Sequence, residues 1–302
     1  MAPFVLAADI GASFIRMAAV GPAAVSRVIE RPTPTRDVDA FVATIAGLAG
    51  ELEGVAAPGL PLCLAIAGLC DPVAGTVEAA NIPGLAGQPL AALVERRIGR
   101  AVRLVNDADA FALAEAEAGA GRGHAVVLGA IIGSGIGGGV VADGAIVRGA
   151  GGAGGEWGHG PVARELPVAL GRPLPRMRCG CGREGCADTF GGARGLERLH
   201  AAIGHGASDS RAIVAGWRAG DAAAAETVAV WAELLAEPLA LAVNITGASA
   251  VVTGGGLGRD AALMAALSRA LVPQVLRGGL VLTPGALPNA ALVGAAMLAR
   301  QP

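Results

Sequence analysis

The residues most able to do chemistry are three thiols, Cys179, Cys181 and Cys186, held in the eight-residue run Cys-Gly-Cys-Gly-Arg-Glu-Gly-Cys. Thiolates this close, with glycines between them, suit a tetrahedral metal site that needs one further ligand. His159, in Gly-Glu-Trp-Gly-His, is the candidate for the fourth position, a loop away in the chain. Four protein ligands close the coordination shell, so a zinc held this way is structural and not catalytic. It would tie the Pro- and Arg-rich segment 161–178 to Glu156 and His159. The plain alternative is three buried free cysteines. Cys63 and Cys70 stand apart, and five cysteines in 302 residues do not make a disulfide framework. The expected setting is reducing, the cytoplasm.

Glycine-rich turns and strand-end carboxylates come next. Asp9-Ile-Gly11-Ala-Ser13-Phe-Ile-Arg16 places a carboxylate at the end of an apolar run, followed by small residues. Backbone N–H groups of such a turn can approach phosphate, and Asp9 can hold Mg2+ through water. An ordinary β-hairpin would read the same. Gly133-Ser134-Gly135-Ile-Gly-Gly-Gly139 contains the G-x-G-x-x-G spacing, but a dinucleotide fingerprint must open a helix. Val140-Val141-Ala142 and then Asp143-Gly144 follow instead, which leaves a phosphate-cradling turn between strands. Gly254-Gly255-Gly256 lies between an apolar strand and a helix, where a helix N-terminus favours an anion. A tight strand–helix turn is the alternative there. Asn106-Asp107 ends a strand and opens a helix, so either residue can cap that helix and still face a substrate.

The elements that must position these groups follow from periodicity. Strands are expected over 4–8, 14–20, 25–30, 62–67, 102–105, 125–132, 139–142 and 250–253. Helices are expected from Asp37 through Leu52, over 90–98, 108–118, 193–203 and 221–243, with Pro238 a kink or break in the last. A terminal helix over 289–300 is expected to be capped by Asn289. Strands alternating with helices mean an α/β architecture, in which ligands gather at the carboxyl ends of strands. Asp9 and Asp107 both fall at such ends.

Composition removes several chemistries. The chain has no Lys and no Tyr, so a Walker A lysine, a Schiff-base lysine and a tyrosine acid are excluded. A net charge of -2 argues against binding nucleic acid by phosphate neutralisation. The uncharged stretch 125–142 is about long enough to cross a bilayer, but its six glycines and central Ser134 read as two strands about a turn. The N-terminus lacks a basic region and meets Asp9 too early for a signal peptide.

Taken together, the turns at Asp9 and Gly133, the late triple glycine, Asn106-Asp107, and above all Gly-Glu-Trp-Gly-His with Cys-x-Cys-Gly-x-x-Gly-Cys resemble the ROK family. The resemblance, to these repressors, open reading frames and kinases of the sugar kinase/actin-like ATPase superfamily, covers nearly the whole chain. It implies a two-lobed α/β fold of the actin-like, ribonuclease H-like kind with a zinc loop over 159–188. The small lobe would be 1–107, with helix 289–302 packing back on it, and the large lobe 108–288. In that family the lobes close over ATP and a hexose, with Mg2+. By resemblance Asp107 is the base that accepts the proton of the sugar 6-hydroxyl. Asn106, Gly68, Asn81, Gly135, Glu156, His159 and Asp188 line the sugar, with His159 also a zinc ligand beside Cys179, Cys181 and Cys186. Asp9, Gly11, Ser13 and Arg16 form the first phosphate loop, Gly133 and Ser134 the second, and Gly254, Gly255 and Gly256 the adenosine side. A homodimer is implied, with no nucleic-acid or membrane partner.

Two positions depart from the family pattern. The first loop usually reads Gly-Gly-Thr followed by Lys or Asn, whereas here Ala12 and Ser13 follow Gly11 and Arg16 lies beyond. Ala12 leaves less room for backbone approach than glycine. A Glu usually falls two residues after the last Cys, where this chain has Asp188. The shorter side chain leaves space at the C1–C2 edge of the sugar, which an N-acetyl group could fill. The segment 188–197 also resembles the N-acetylglucosamine kinase branch. The expectation is an ATP-dependent kinase acting on the 6-hydroxyl of N-acetyl-D-glucosamine, with glucokinase or fructokinase as the alternative. A sugar-sensing regulator is the alternative from another class. Such repressors carry a helix-turn-helix ahead of the Asp-x-Gly motif, and the nine residues through Asp9 leave no room for one.

Overall fold

The computed structural model describes residues 3–22, 24–162 and 166–301. In chain order the first elements are β1 (Val5–Ile10), β2 (Phe14–Val20), β3 (Ile29–Pro32), α1 (Val38–Glu51), β4 (Leu62–Ile66), β5 (Leu69–Asp71), β6 (Thr76–Glu78), α2 (Leu90–Ile98), β7 (Val102–Asn106) and α3 (Asp107–Ala118). Then come β8 (Val126–Ile132), β9 (Ile136–Ala142), β10 (Ala145–Ile146), α4 (Asp188–Gly191), α5 (Ala193–Ala202), α6 (Ser210–Arg218) and α7 (Ala222–Thr246). The chain ends with β11 (Ala250–Gly254), α8 (Gly255–Gly258), α9 (Ala261–Leu271), β12 (Val281–Pro284) and α10 (Ala290–Arg300). These fall into two compact units, 1–114 with 146–154 and 287–302, and 115–145 with 155–286.

The sheet of the first unit has the order β3-β2-β1-β4-β7. β1 runs antiparallel to β2 and parallel to β4, and β4 runs parallel to β7. The central strands, VLAADI and LCLAI, are near-continuous apolar runs, as expected of strands covered on both faces. Phe41, Ile45 and Leu48 of α1 and Leu90 and Val94 of α2 share one core with Leu64 and Ile66 of β4. α10 packs on β1 and β4. In the second unit β9, β8, β11 and β12 lie side by side, with β8, β11 and β12 parallel. Trp231, Leu235 and Leu239 of α7 are fully buried at the centre of its core.

Four helices begin on an aspartate whose carboxylate accepts a backbone amide of the first turn. The pairs are Asp37 with Ala40, Asp209 with Ala212, Asp221 with Ala224, and Asp260 with Leu263. Asn289 differs from the expectation, since it precedes α10 in the left-handed region at φ 54 and its side chain makes no cap bond. Val25 forms only an isolated bridge to Val20, and the third strand starts later, at Ile29. α7 runs through Pro238 as one helix, because Pro238 and its neighbours are buried among the other helices of the unit. By length and composition α7 could cross a membrane, but 61% of its apolar window is buried inside the protein. The stretch 125–142 is two strands, and Gly137, Gly138 and Gly139 belong to β9 and not to the turn. Gly138 is needed as glycine because a Cβ there would lie 2.3 Å from Trp157 Cδ1 and from Gly155 O.

The close approach of α10 to α3 gives a stability test. A Cβ on Gly294 would sit 1.8 Å from the Ala110 carbonyl oxygen, a backbone atom that cannot step aside. Gly294→Ala should therefore destabilise by roughly 1–3 kcal/mol or more in denaturant unfolding. Gly47→Ala, on α1 with nothing within 4 Å of its Cβ, should leave stability unchanged or raise it by up to about 1 kcal/mol.

Candidate active site

Strand register fixes the first half of the site. Ile10 of β1 pairs with Ile66 of β4, and Ile66 pairs with Asn106 of β7. Asp9 near the end of β1, Gly68 beyond β4, and Asn106 and Asp107 after β7 therefore share one carboxyl edge. Strands ~4.8 Å apart put Ile10 and Asn106 about 10 Å from one another on that edge. Asn106 is buried and bonded to the backbone through both ends of its amide. Its Oδ1 accepts the N–H groups of Ala108 at 2.8 Å and Asp109 at 3.1 Å, and its Nδ2 donates to Gly68 O at 2.9 Å. It is thus the cap of α3 and the tie between β7 and the turn after β4, with one amide N–H left to offer a ligand. Asp107 is half-buried on the first turn of α3, its Oδ1 accepting the Ala108 N–H at 2.9 Å. A helix N-terminus is a favourable place for its negative charge. Gly68 has φ 152, and a Cβ there would lie 2.6 Å from Glu78 O. Asn81 is exposed in the turn after β6.

The turn between β1 and β2 is held from β3. Gly11 N–H donates to Phe14 O at 3.0 Å, Thr33 Oγ1 donates to Gly11 O at 2.8 Å, and Thr33 N–H donates to Ser13 O at 3.0 Å. Sequence reasoning missed Thr33, which lies 22 residues from Gly11 and carries no motif. Ser13 is exposed, and a Cβ on Gly11 would meet only an ordinary contact at 3.8 Å, so packing alone does not demand glycine there. Arg16 faces Asp9 across the strand pair, with Nη1 at 3.9 Å from Oδ2, and its Nε donates to Glu30 at 2.7 Å. Burial pushes the Asp9 carboxyl above the ordinary range, and Arg16 pulls it back down.

In the second unit two glycine turns adjoin. Ile131 of β8 pairs with Gly254 of β11, and a Cβ on Gly133 would come 3.9 Å from Gly255 Cα. Gly255 has φ 80, and a Cβ there would strike the Ile132 backbone at 2.6 Å. Gly256 has nothing within 4 Å of its Cβ position. The carbonyls of the first turn point into the protein's own amides, Gly133 O accepting from Ala193 N–H at 2.8 Å and Ser134 O from Arg194 N–H at 3.4 Å. The turn after β11 is fixed by buried Thr253, whose Oγ1 donates to Gly258 O at 2.6 Å.

His159, Cys179, Cys181 and Cys186 come together, with one ligand atom from each inside a 4.8 Å cluster. Cys181 Sγ and Cys186 Sγ are 3.6 Å apart, and His159 Nδ1 is 3.6 Å from Cys179 Sγ. A zinc–sulfur length of ~2.3 Å requires tetrahedral edges of about 3.8 Å, close to the two 3.6 Å separations, so three sulfurs and one nitrogen are gathered at the scale of a zinc-sized ion. Tight backbone links hold the loop: Cys179 N–H to Arg183 O at 2.7 Å, Gly185 N–H to Met177 O at 2.8 Å, and Ala187 N–H to Gly160 O at 2.9 Å. Hydrogen bonds from Arg183 pull exposed Cys181 down to about 6, while burial pushes Cys186 up to about 12. Ligation would then displace protons chiefly from the buried thiols.

The cluster also orients acidic groups. His159 Nε2 lies 3.6 Å from Glu156 Oε2, so a histidine bound through Nδ1 presents its remaining N–H to that carboxylate. Burial pushes the Glu156 carboxyl up, His159 lowers it and Asp188 raises it. Asp188 Oδ1 accepts the Ile136 N–H at 2.7 Å, and its Oδ2 is 4.0 Å from Cys179 Sγ.

The sequence of this chain matches the family model described as "ROK family" over residues 5–302. Over 254 residues it is 32% identical to the N-acetyl-D-glucosamine kinase of Citrobacter koseri, covering 81% of this chain and 81% of the relative. Its structure aligns with the ROK hexokinase from Thermus thermophilus at a TM-score of 0.83 and 32% identity, covering 97% of each chain. A ROK family glucokinase from Streptomyces griseus, solved in complex with glucose and AMPPNP, aligns at a TM-score of 0.80 and 26% identity, covering 99% of this chain and 100% of that one. On the family model and on relatives this similar over most of their length, the chain belongs to the ROK family.

Proposed function

We propose that this chain is an ATP-dependent sugar kinase that phosphorylates the 6-hydroxyl of N-acetyl-D-glucosamine. The observation that carries the reading is Asp107, a carboxylate on the first turn of α3 at the carboxyl edge of the parallel strands β1, β4 and β7, with Asp9 on the same edge. Phosphoryl transfer needs a carboxylate near the attacking hydroxyl, positioning, and neutralised phosphate charge. Asp107 takes the proton from the 6-hydroxyl as its oxygen bonds to the γ-phosphorus. The bond from that phosphorus to the β–γ bridging oxygen breaks, and ADP leaves. With neither Lys nor Tyr in the chain, no such side chain can replace Asp107 as base.

Asn106 offers its remaining amide N–H to a sugar hydroxyl, and Gly68, Asn81, Gly135, Glu156 and His159 are the further sugar contacts that the family resemblance implies. The turn at Gly11, Ser13 and Arg16 and the turn at Gly133 and Ser134 meet the phosphates of ATP. Gly254, Gly255 and Gly256 leave room for the adenosine. Asp9, a hard oxygen donor, suits Mg2+ held through water, and Mg2+ supplies neutralisation of the phosphates when bound. Zinc suits the three sulfurs and one nitrogen of the cluster, where it supplies rigidity to the loop that carries Glu156 and His159. The substrate assignment draws on the N-acetyl-D-glucosamine kinase of Citrobacter koseri. Family resemblance extends the reading to a cytoplasmic homodimer, in keeping with five cysteines present as thiols.

Two experiments test this reading. Asp107→Asn keeps size and the capped helix but removes the base, and should lower turnover in a coupled ADP-release assay by roughly 10²–10⁴. Turnover within about twofold of wild type would remove Asp107 from that role. Metal analysis of purified protein should find about one zinc per chain, and Cys181→Ser should lower that content and loosen the Glu156–His159 loop. A well-folded, unchelated preparation without zinc would contradict the metal assignment.

A further inference from the structure

Asp188 sits two residues beyond Cys186, and one of its carboxylate oxygens is committed to the protein's own backbone. Oδ1 accepts the Ile136 N–H at 2.7 Å, the amide that ends the Gly133–Gly135 turn and begins β9. The segment that follows grips the same turn at two further points, Ala193 N–H to Gly133 O at 2.8 Å and Arg194 N–H to Ser134 O at 3.4 Å. Packing leaves no slack between them. A Cβ on Gly135 would lie 2.6 Å from Asp188 Oδ1, and a Cβ on Gly192 would lie 2.5 Å from Gly135 Cα. Asp188 Oδ2 approaches the metal-ligand cluster, 4.0 Å from Cys179 Sγ. One carboxylate thus joins the cysteine loop to the glycine turn. Asp is the right length for this, since a longer side chain would drive its oxygens toward the Gly135 backbone.

We propose that Asp188 is a positioning residue for the ATP side of the reaction, a strut that holds the Gly133–Ile136 turn in register with the cysteine loop. The proposal rests on the kinase reading given above. Its logic is geometric. With the carbonyls of Gly133 and Ser134 and the amide of Ile136 all bonded from 188–194, the turn keeps one conformation and presents its other backbone groups in fixed directions. Preorganised backbone donors lose effect steeply when displaced by about 1 Å.

The test compares wild type, Asp188→Asn and Asp188→Ala as full chains, with KM measured separately for Mg-ATP and for N-acetylglucosamine. Asp188→Asn keeps an oxygen that can accept the Ile136 N–H, and Asp188→Ala does not. For Asp188→Ala we expect kcat/KM for Mg-ATP to fall on the order of 10- to 100-fold with the sugar KM within about twofold of wild type. Asp188→Asn should recover most of the loss. Hydrogen exchange at the Ile136 amide should be faster in Asp188→Ala and near wild type in Asp188→Asn. A rise in sugar KM in both variants with Mg-ATP parameters unchanged would overturn the proposal and make Asp188 a sugar contact. If Asp188→Ala does not fold, Gly135→Ala pushes the carboxylate off the Ile136 amide while keeping its charge. An unchanged kcat/KM for Mg-ATP in Gly135→Ala would then overturn the strut. Absence of turnover in wild type would count against the kinase reading, whereas the exchange data judge the strut separately.

Discussion

The first unit depends on one constraint, the parallel pairing of β1, β4 and β7. Because Ile10, Ile66 and Asn106 are register partners, the residues that follow each strand are delivered to a single edge. A slip of one residue would send every side chain to the opposite face of the sheet. The buried apolar runs of β1 and β4 resist such a slip, so the core fixes where Asp9 and Asp107 stand. Asn106 then does two jobs with one side chain, closing the N-terminus of α3 and fastening the turn at Gly68.

The second unit reaches the same end by another route. Its parallel strands β8 and β11 set two glycine turns side by side, and the clustered ligands His159, Cys179, Cys181 and Cys186 set the acidic groups beyond them. Under the cysteine loop Leu174, Ala187 and Phe190 join the buried core of the unit, while Arg176, Arg178 and Arg183 on the loop are exposed. Short backbone bonds from Cys179 to Arg183 and from Gly185 to Met177 hold the loop over that core. His159 stands between the cluster and Glu156, with Nδ1 3.6 Å from Cys179 Sγ and Nε2 3.6 Å from Glu156 Oε2.

Much of this was legible in the sequence. The thiol spacing with Gly-Glu-Trp-Gly-His named all four members of the cluster, and the apolar runs placed most strands to within a residue or two. The failures have physical causes. Gly137 and Gly138 looked like part of a turn because their strand role is imposed from outside, by the Trp157 ring and the Gly155 carbonyl above Gly138. Of the kink or break expected at Pro238, the break does not occur, because α7 is surrounded by the core of its unit in a way the letters do not show. Asn289 looked like a cap because its type is right, but its left-handed backbone turns the side chain away from that bond. Thr33 and the Ala193 and Arg194 amides act through long-range backbone contacts that leave no local pattern.

The account centres on phosphoryl transfer from ATP to an amino sugar, and kinetics on a panel of acceptors test it most directly. Specificity constants would be measured with Mg-ATP for N-acetylglucosamine, N-acetylmannosamine, glucose and fructose. N-acetylglucosamine should give the highest value, about 10- to 200-fold above glucose or fructose, the range that one small contact in a pocket can supply. A higher constant for glucose or fructose would contradict the substrate assignment, and absence of ADP release with every sugar would contradict the kinase itself.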